Sequence, residues 1–270
     1  MPQALVGEER IHYQRHLGAA GGPQLVLVHG AGGTLMHWPG ELRRLPGPTV
    51  YALDLPGHGQ SGGGGRVSIA EYAAAVHSFA EALQLPPFVL AGHSMGGAIA
   101  LELALRWPGH LAGLILVGTG ARLRVAPEIL AGLLTDYQRT SDIIARWAYR
   151  DGVDQATLME GARILRHVPA SVTYRDYAAC DAFDRRQDVP RIGLPALIVC
   201  GSADRMTPPR FSQWLEEQLP RSQLVLIPEA GHMVMLEAQS KPRVVDAVRD
   251  FLKAGQFCAK HADQEGMSGR

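Results

Sequence analysis

The feature that most limits how this chain can fold is a repeated alternation. Short apolar runs rich in β-branched residues, at 24–29, 49–54, 87–92, 111–118, 195–201 and 223–228, are separated by longer stretches of helical character. A strand with one wet face alternates apolar and polar residues, whereas these runs are nearly continuous and fit strands buried on both faces of a parallel sheet. Helices are expected at 68–83, 95–107, 208–218 and 241–253. In the first of them Ile69, Tyr72, Ala73, Val76, Phe79, Ala80 and Leu83 recur at helical spacing and mark one apolar face. Parallel strands joined through helices need right-handed crossovers, which cover the sheet with helices on both faces. Residues 9–16 read as an antiparallel strand at one edge.

The alternation stops between 121 and 190. That stretch has helical patterns, for instance 142–149, many arginines, several aromatics and the breakers Pro127 and Pro169, but no clear strand. Because it lies between two core strands, it is expected to be a helical cap inserted at one end of the sheet. The expected organisation is a core of residues 1–120 and 191–255, a cap of 121–190, and a polar, poorly ordered tail of 256–270.

Composition narrows the function classes. At 270 residues the chain can bury one large core. Lys plus Arg number 26 and Asp plus Glu 26, so a formal charge of zero gives no reason to expect a nucleic-acid or membrane partner. The three cysteines, Cys180, Cys200 and Cys258, are too few and too scattered for a disulfide framework or a structural zinc site. Residues 1–13 include Glu8, Glu9 and Arg10 without an apolar stretch, which does not read as a signal peptide. No apolar run approaches the ~20 residues of a membrane span. A soluble, cytoplasmic protein is expected.

The pattern G-x-S-x-G occurs twice, at 59–63 and at 92–96. A nucleophilic serine of this kind needs a sharp strand-to-helix turn that exposes its hydroxyl over the sheet edge. Ser94 has that context: 88–91 supplies a strand and 98–103 a helix, with Gly92, Gly96 and Gly97 allowing close backbone approach. Ser61 follows the loop Pro56-Gly57-His58-Gly59 and precedes more glycine, so it reads as a turn residue. A serine hydroxyl needs a base that is itself held by a third group. His232 follows the strand run ending at Pro228, and Asp204 follows the run ending at Gly201; both sit where open sheets place their sites. His93, beside Ser94 in the turn, is expected to point elsewhere.

A tetrahedral oxyanion needs preset N–H donors. Met95 offers one. The second is expected from the loop 29–33, with Ala31 favoured and Gly32 the alternative. That glycine-rich loop lacks the spacing of a phosphate cradle. Asp54 is read as structural, within a rigid loop. His29, His37, His58 and His93 have no metal-ligand spacing, so neither metal nor organic cofactor is expected.

Together, residues 29–33, 54–61, 92–97, 201–204 and 230–232 resemble the α/β-hydrolase fold superfamily. The resemblance covers about 24–253 and implies an α/β fold with a mostly parallel eight-stranded sheet and the triad Ser94, Asp204, His232. Ser94 stands where the superfamily's haloalkane dehalogenases and epoxide hydrolases carry an aspartate, which argues against those activities. Within the superfamily the chain looks like small capped serine carboxylesterases and enol-lactone hydrolases; 54–61 and 94–97 are also similar to menaquinone-pathway lyases and meta-cleavage C–C hydrolases. The leading expectation is hydrolysis of a small-molecule ester of short to medium acyl chain, in an apolar pocket lined by Leu35, Trp38, Met95, Trp147, Met206 and Met233. A second is a carboxylate-bearing enol lactone or C–C substrate, held by cap arginines among Arg139, Arg146, Arg163 and Arg166. A third is a non-catalytic small-molecule-binding protein of the same fold.

Overall fold

The computed structural model describes residues 2–255. Eight strands form one sheet: β1 (Gln3–Val6), β2 (Glu9–His16), β3 (Gln24–Val28), β4 (Thr49–Leu53), β5 (Phe88–His93), β6 (Leu111–Val117), β7 (Ala196–Gly201) and β8 (Ser222–Ile227). Their order is β1-β2-β4-β3-β5-β6-β7-β8, antiparallel at the β1-β2 and β2-β4 pairs and parallel elsewhere. The expected architecture is therefore present, with two departures. The exposed edge strand β1 was not anticipated; only Ala4 of its four residues is buried, which leaves little hydrophobic signal. β8 lies at the other edge, so its run is only partly covered and Leu226 is exposed.

The chain leaves β3 for β4 on one side and returns to β5 on the other. An open sheet forms a crevice at such a reversal, beyond the carboxyl ends of its strands. The loops after β3 and β5 lie there, joined through the register Val28 to Gly92.

Alternate residues of β5 feed the two sides of the sheet. Phe88 and Leu90 pack with Tyr72, Val76 and Phe79 of α2 (Ile69–Ala82), Ile99 and Leu103 of α3 (Met95–Arg106) and Leu215 from a later helix. Val89 and Ala91 face Trp38, Leu42 of the short α1 (Gly40–Arg43), Val248 and Phe251. A Ser68 side chain that accepts from Glu71 N caps α2.

Between β6 and β7 the chain forms α4 (Pro127–Thr135), α5 (Tyr137–Ala148), α6 (Gln155–Arg166) and α7 (Ala170–Ala182). Pro127 stands in the first turn of α4 and Pro169 just before α7, so the two prolines begin helices rather than interrupt them. Ile129, Leu133, Ile144, Leu165 and Tyr177 form a small core of their own. Among the described residues the series ends with α8 (Pro209–Gln218) and α9 (Lys241–Ala254). Among the described residues no helix is long and apolar enough to cross a membrane. Cys180 and Cys200 are buried free thiols; Cys258 and the expected tail lie outside the described residues.

Candidate active site

Ser94 sits between β5 and α3 with φ 54° and ψ −116°, a region that side-chain-bearing residues rarely occupy. Its neighbours show why glycine surrounds it. A Cβ on Gly92 would lie 2.1 Å from Gly96 O, and one on Gly96 would lie 2.3 Å from Val28 O. Ser94 N donates to Val117 O at 2.9 Å, and Thr119 Oγ1 donates to Ser94 O at 2.8 Å. Although Ser94 occupies the N-cap position of α3, its hydroxyl makes no cap bond and instead lines a cavity.

Asp204 Oδ2 lies 2.9 Å from His232 Nδ1, and both residues are buried. A carboxylate accepts only, so the bond assigns the proton to Nδ1 and leaves the Nε2 lone pair available. Asp204 also accepts from Met206 N at 2.9 Å, Thr207 N at 2.8 Å and Thr207 Oγ1 at 2.8 Å. Burial pushes its carboxyl up, but the His232 ring and the Thr207 bonds outweigh burial and hold it below the usual carboxylate range. Thr207 thus supports the acid, and nothing in its sequence surroundings had marked it.

His93 does not point elsewhere. Its ring tilts against that of His232, with centroids 4.7 Å apart, and its Nε2 donates to His232 O at 3.1 Å. A Cβ on Gly30 would come within 3.1 Å of His93 Nδ1, so the bare glycine backbone admits the ring. Burial, then the neighbouring His232, lower the His93 pKa well below that of free histidine.

In the loop after β3, Gly30 O accepts from Gly33 N at 3.1 Å and lies 2.8 Å from His29 Nδ1. Gly32 N donates to Asp176 Oδ2 at 2.8 Å, which occupies the alternative oxyanion donor. Among the described residues, neither Ala31 N nor Met95 N has a protein acceptor.

The cavity, of about 100 Å³, is lined by Gly30, Ala31, Ser94 and His232 with Val125, Ile144, Leu165, Met206 and Met233 among its apolar walls. Of the pocket residues expected from sequence, Met206 and Met233 are there. Leu35 and Trp38 are not: three residues apart on a tight turn, both face the core beside Leu42, and His37 lines the cavity instead. Trp147 is exposed, because Ile144, Ala145 and Ala148 take the inward face of α5. Met95 is a core side chain of α3 and does not line the cavity. The four arginines weighed for a carboxylate do not line the cavity either; Arg163 pairs with Glu160 and Arg166 with Asp142, while Arg124 lines it.

The second G-x-S-x-G serine is a turn residue. Ser61 Oγ accepts from His12 N at 2.8 Å and donates to Asp54 O at 2.7 Å. Asp54 accepts from Leu35 N at 2.8 Å and Gln60 N at 3.0 Å and so knits loops together. Among the described residues no group of three or more His, Cys, Asp or Glu could hold a metal ion.

A model of the alpha/beta hydrolase family matches residues 25–247. The chain is 31% identical to the pimeloyl-[acyl-carrier protein] methyl ester esterase of Neisseria meningitidis serogroup B, over 86% of this chain and 93% of that one. It is 32% identical to the dihydrolipoyllysine-residue acetyltransferase component of the acetoin cleaving system of Pseudomonas putida, over 82% of this chain but only 62% of that protein's length. Among solved structures, a thermophilic esterase superposes with a TM-score of 0.83 at 32% identity, covering 94% of this chain and 97% of the other.

Proposed function

The chain belongs to the alpha/beta hydrolase family, and from that premise we propose that it is a serine hydrolase that cleaves carboxylic esters through an acyl-enzyme. The observation that carries this is one cavity lined by both Ser94 and His232, with the His232 Nδ1 bonded to buried Asp204 at 2.9 Å. Ser94 Oγ attacks the ester carbonyl while His232 Nε2 takes its proton. Asp204 keeps the ring in the required tautomer and stabilises the imidazolium that forms. The amides of Ala31 and Met95 receive the oxyanion. The imidazolium then protonates the leaving alcohol, and His232 activates water to release the acid. The insertion acts as a cap that supplies much of the acyl pocket, through Val125 before α4, Ile144 of α5 and Leu165 of α6.

An uncharged substrate of short to medium acyl chain fits the walls and the size. Its volume of about 100 Å³ is below the ~300–1,000 Å³ of pockets for drug-sized ligands. Met206 and Met233 flank the site, and thioether side chains adapt to varied apolar shapes. Two similar proteins are named as esterases, which agrees in bond type. A second reading, a carboxylate-bearing lactone or C–C substrate, is favoured by one observation: Arg124 lines the cavity, and its ion-pair partner Asp181 is 3.5 Å away.

The test is kcat/KM for p-nitrophenyl acetate, butyrate, hexanoate, octanoate and decanoate beside an enol-lactone acid and a dienone acid. Each buried methylene contributes ~0.8 kcal/mol, so kcat/KM should climb several-fold per carbon pair until the pocket is full. A preference above about a hundredfold for either acid (~2.7 kcal/mol), removed by Arg124→Ala, would overturn the ester reading. Absence of turnover on every substrate would point to a binding protein.

A further inference from the structure

We propose that Asp176, on the inserted helix α7, is a positioning residue for the oxyanion loop: its carboxylate holds the Gly32 amide so that the Ala31 N–H stays aimed into the cavity. The proposal rests on the serine-hydrolase reading above.

The loop's two relevant peptide planes are both pinned. Within a trans peptide the C=O and the following N–H point in opposite directions. Gly30 O is fixed from one side by Gly33 N and the His29 ring, which sends Ala31 N–H the other way. His29 Nε2 accepts from Leu55 N at 3.0 Å, so its Nδ1 carries the proton and donates to Gly30 O. The next plane is fixed by the 2.8 Å bond from Gly32 N to Asp176 Oδ2. Gly32 has φ +62°, and a Cβ there would lie 2.2 Å from Leu165 Cδ1 of α6 and 3.2 Å from Thr173 Cγ2 of α7. The loop therefore lies directly under the insertion, and its positive φ there favours glycine.

A carboxylate is an unusual choice for this seam. Asp176 is fully buried, and apolar packing alone would seat a helix on a core. Its oxygens are instead taken up by three donors from the core: Gly32 N, Tyr72 OH and His58 Nε2, the last at 2.7 Å. The His58 ring lies between two acceptors, since its Nδ1 is 3.0 Å from Pro56 O. Both nitrogens must then donate, which makes the ring an imidazolium. Its charge compensates Asp176 beside a site where negative charge develops. The arrangement gives the loop a charge-assisted tether without leaving a bare carboxylate near the oxyanion. It also makes loop geometry depend on α7 being seated, so the hydrolytic site is complete only with the insertion closed down.

The test compares the full-length wild type with Asp176→Asn, His58→Gln and, as a control, Arg185→Gln. Arg185 makes a different tie to the core, at 2.7 Å and 3.0 Å to Glu102. Losing one oxyanion donor in a serine hydrolase costs ~10²–10³ in kcat; loosening its aim should cost about 10–100-fold. For Asp176→Asn that loss is expected in kcat, with KM within about twofold. Affinity for an alkylboronic acid, which forms a tetrahedral anion on the serine, should fall by the same factor. His58→Gln, which strips the counter-charge but keeps a donor, should also lower kcat about tenfold or more; it decides the matter if Asp176→Asn does not fold. Arg185→Gln should lose stability with kcat within about twofold of wild type. Folded Asp176→Asn or His58→Gln with wild-type kcat and boronate affinity would overturn the positioning role, as would an equal kcat loss in Arg185→Gln. In either case, wild-type ester turnover and labelling of Ser94 by a fluorophosphonate would leave the serine-hydrolase reading standing. A wild type that neither labels nor turns over would sink that reading first.

Discussion

The backbone of Ser94 implies a test that separates stability from chemistry. At φ 54° and ψ −116° the residue is held in a conformation that a Cβ disfavours. Strain of this kind costs about 1–3 kcal/mol per residue. Ser94→Ala keeps the Cβ and the strain; Ser94→Gly releases it. Glycine in turn gains unfolded-state entropy, which offsets about 0.4–1 kcal/mol. The difference leaves Ser94→Gly more stable than Ser94→Ala by about 0.5–2 kcal/mol. For a chain of this length that is an increase in Tm of about 1–4 °C. Little packing is lost, because Ser94 lines the cavity rather than the core. Calorimetric melts of both variants, backed by urea titration, measure the difference. Gln84, exposed with φ 49°, provides a calibration through Gln84→Ala and Gln84→Gly, since no active-site function is at stake there. If Ser94→Gly melts at or below Ser94→Ala while Gln84→Gly melts above Gln84→Ala, the turn between β5 and α3 stores no strain at Ser94.

Three further outcomes are expected. Fluorophosphonate labelling mapped by mass spectrometry should fall on Ser94; Ser61→Ala should keep kcat within about threefold while losing about 1–2 kcal/mol of stability with its two hydrogen bonds, and a label on Ser61 would contradict this. Asp204→Asn should lower kcat by about 10³–10⁴ without unfolding the protein, because the ring loses its enforced tautomer; near-normal turnover would show that another acid holds His232. Stability should fall steeply in mild acid. Burial, first of all, lowers the pKa of His29 and His93 well below that of free histidine, and that of partly exposed His37 to about 4. The unfolded chain binds protons at these rings below ~6.5 while the folded chain does not, so unfolding takes up protons and stability drops as pH falls from ~6.5. At ~1.4 kcal/mol per proton and pH unit, with His37 discounted for its exposure, the loss between pH 6 and 5 should be about 3 kcal/mol. His58 acts in the opposite sense: burial lowers its pKa but Asp176 more than reverses that, so its contribution is fully present below ~6.5 and is lost only as pH rises through its folded value. Unfolding free energies from urea titration at pH 6 and 5 that differ by less than about 1 kcal/mol would refute the neutral burial of these rings.

What the sequence made legible depended on whether a residue's role is set by its own neighbours. β3, β5, β6 and β7 were readable because each is buried on both faces, and an unbroken apolar run records that in a handful of adjacent residues. The turns bearing Ser94, Asp204 and His232 were readable for a related reason: each directly follows a strand, and the sheet carries them to the same end. Leu35, Trp38 and Trp147 were misread because apolarity near a site motif does not say which way a side chain faces; on a turn or helix, one residue reverses the answer. Asp176 left only a faint trace. It shares a helix face with Val172, Thr173, Tyr177 and Cys180, all buried, so a lone acid interrupts an apolar stripe. Its partners, however, are far away in the chain: Gly32 is 144 residues distant, His58 118 and Tyr72 104. No local pattern can encode a carboxylate whose value lies in three donors from separate core segments. That distance is also why the contact suits a role in positioning. Strand-end turns are placed by the sheet itself, whereas the loop after β3 is held from both sides: Gly33 N and the His29 ring fix its first peptide plane from the core, and the Gly32 to Asp176 bond ties its second to the last inserted helix.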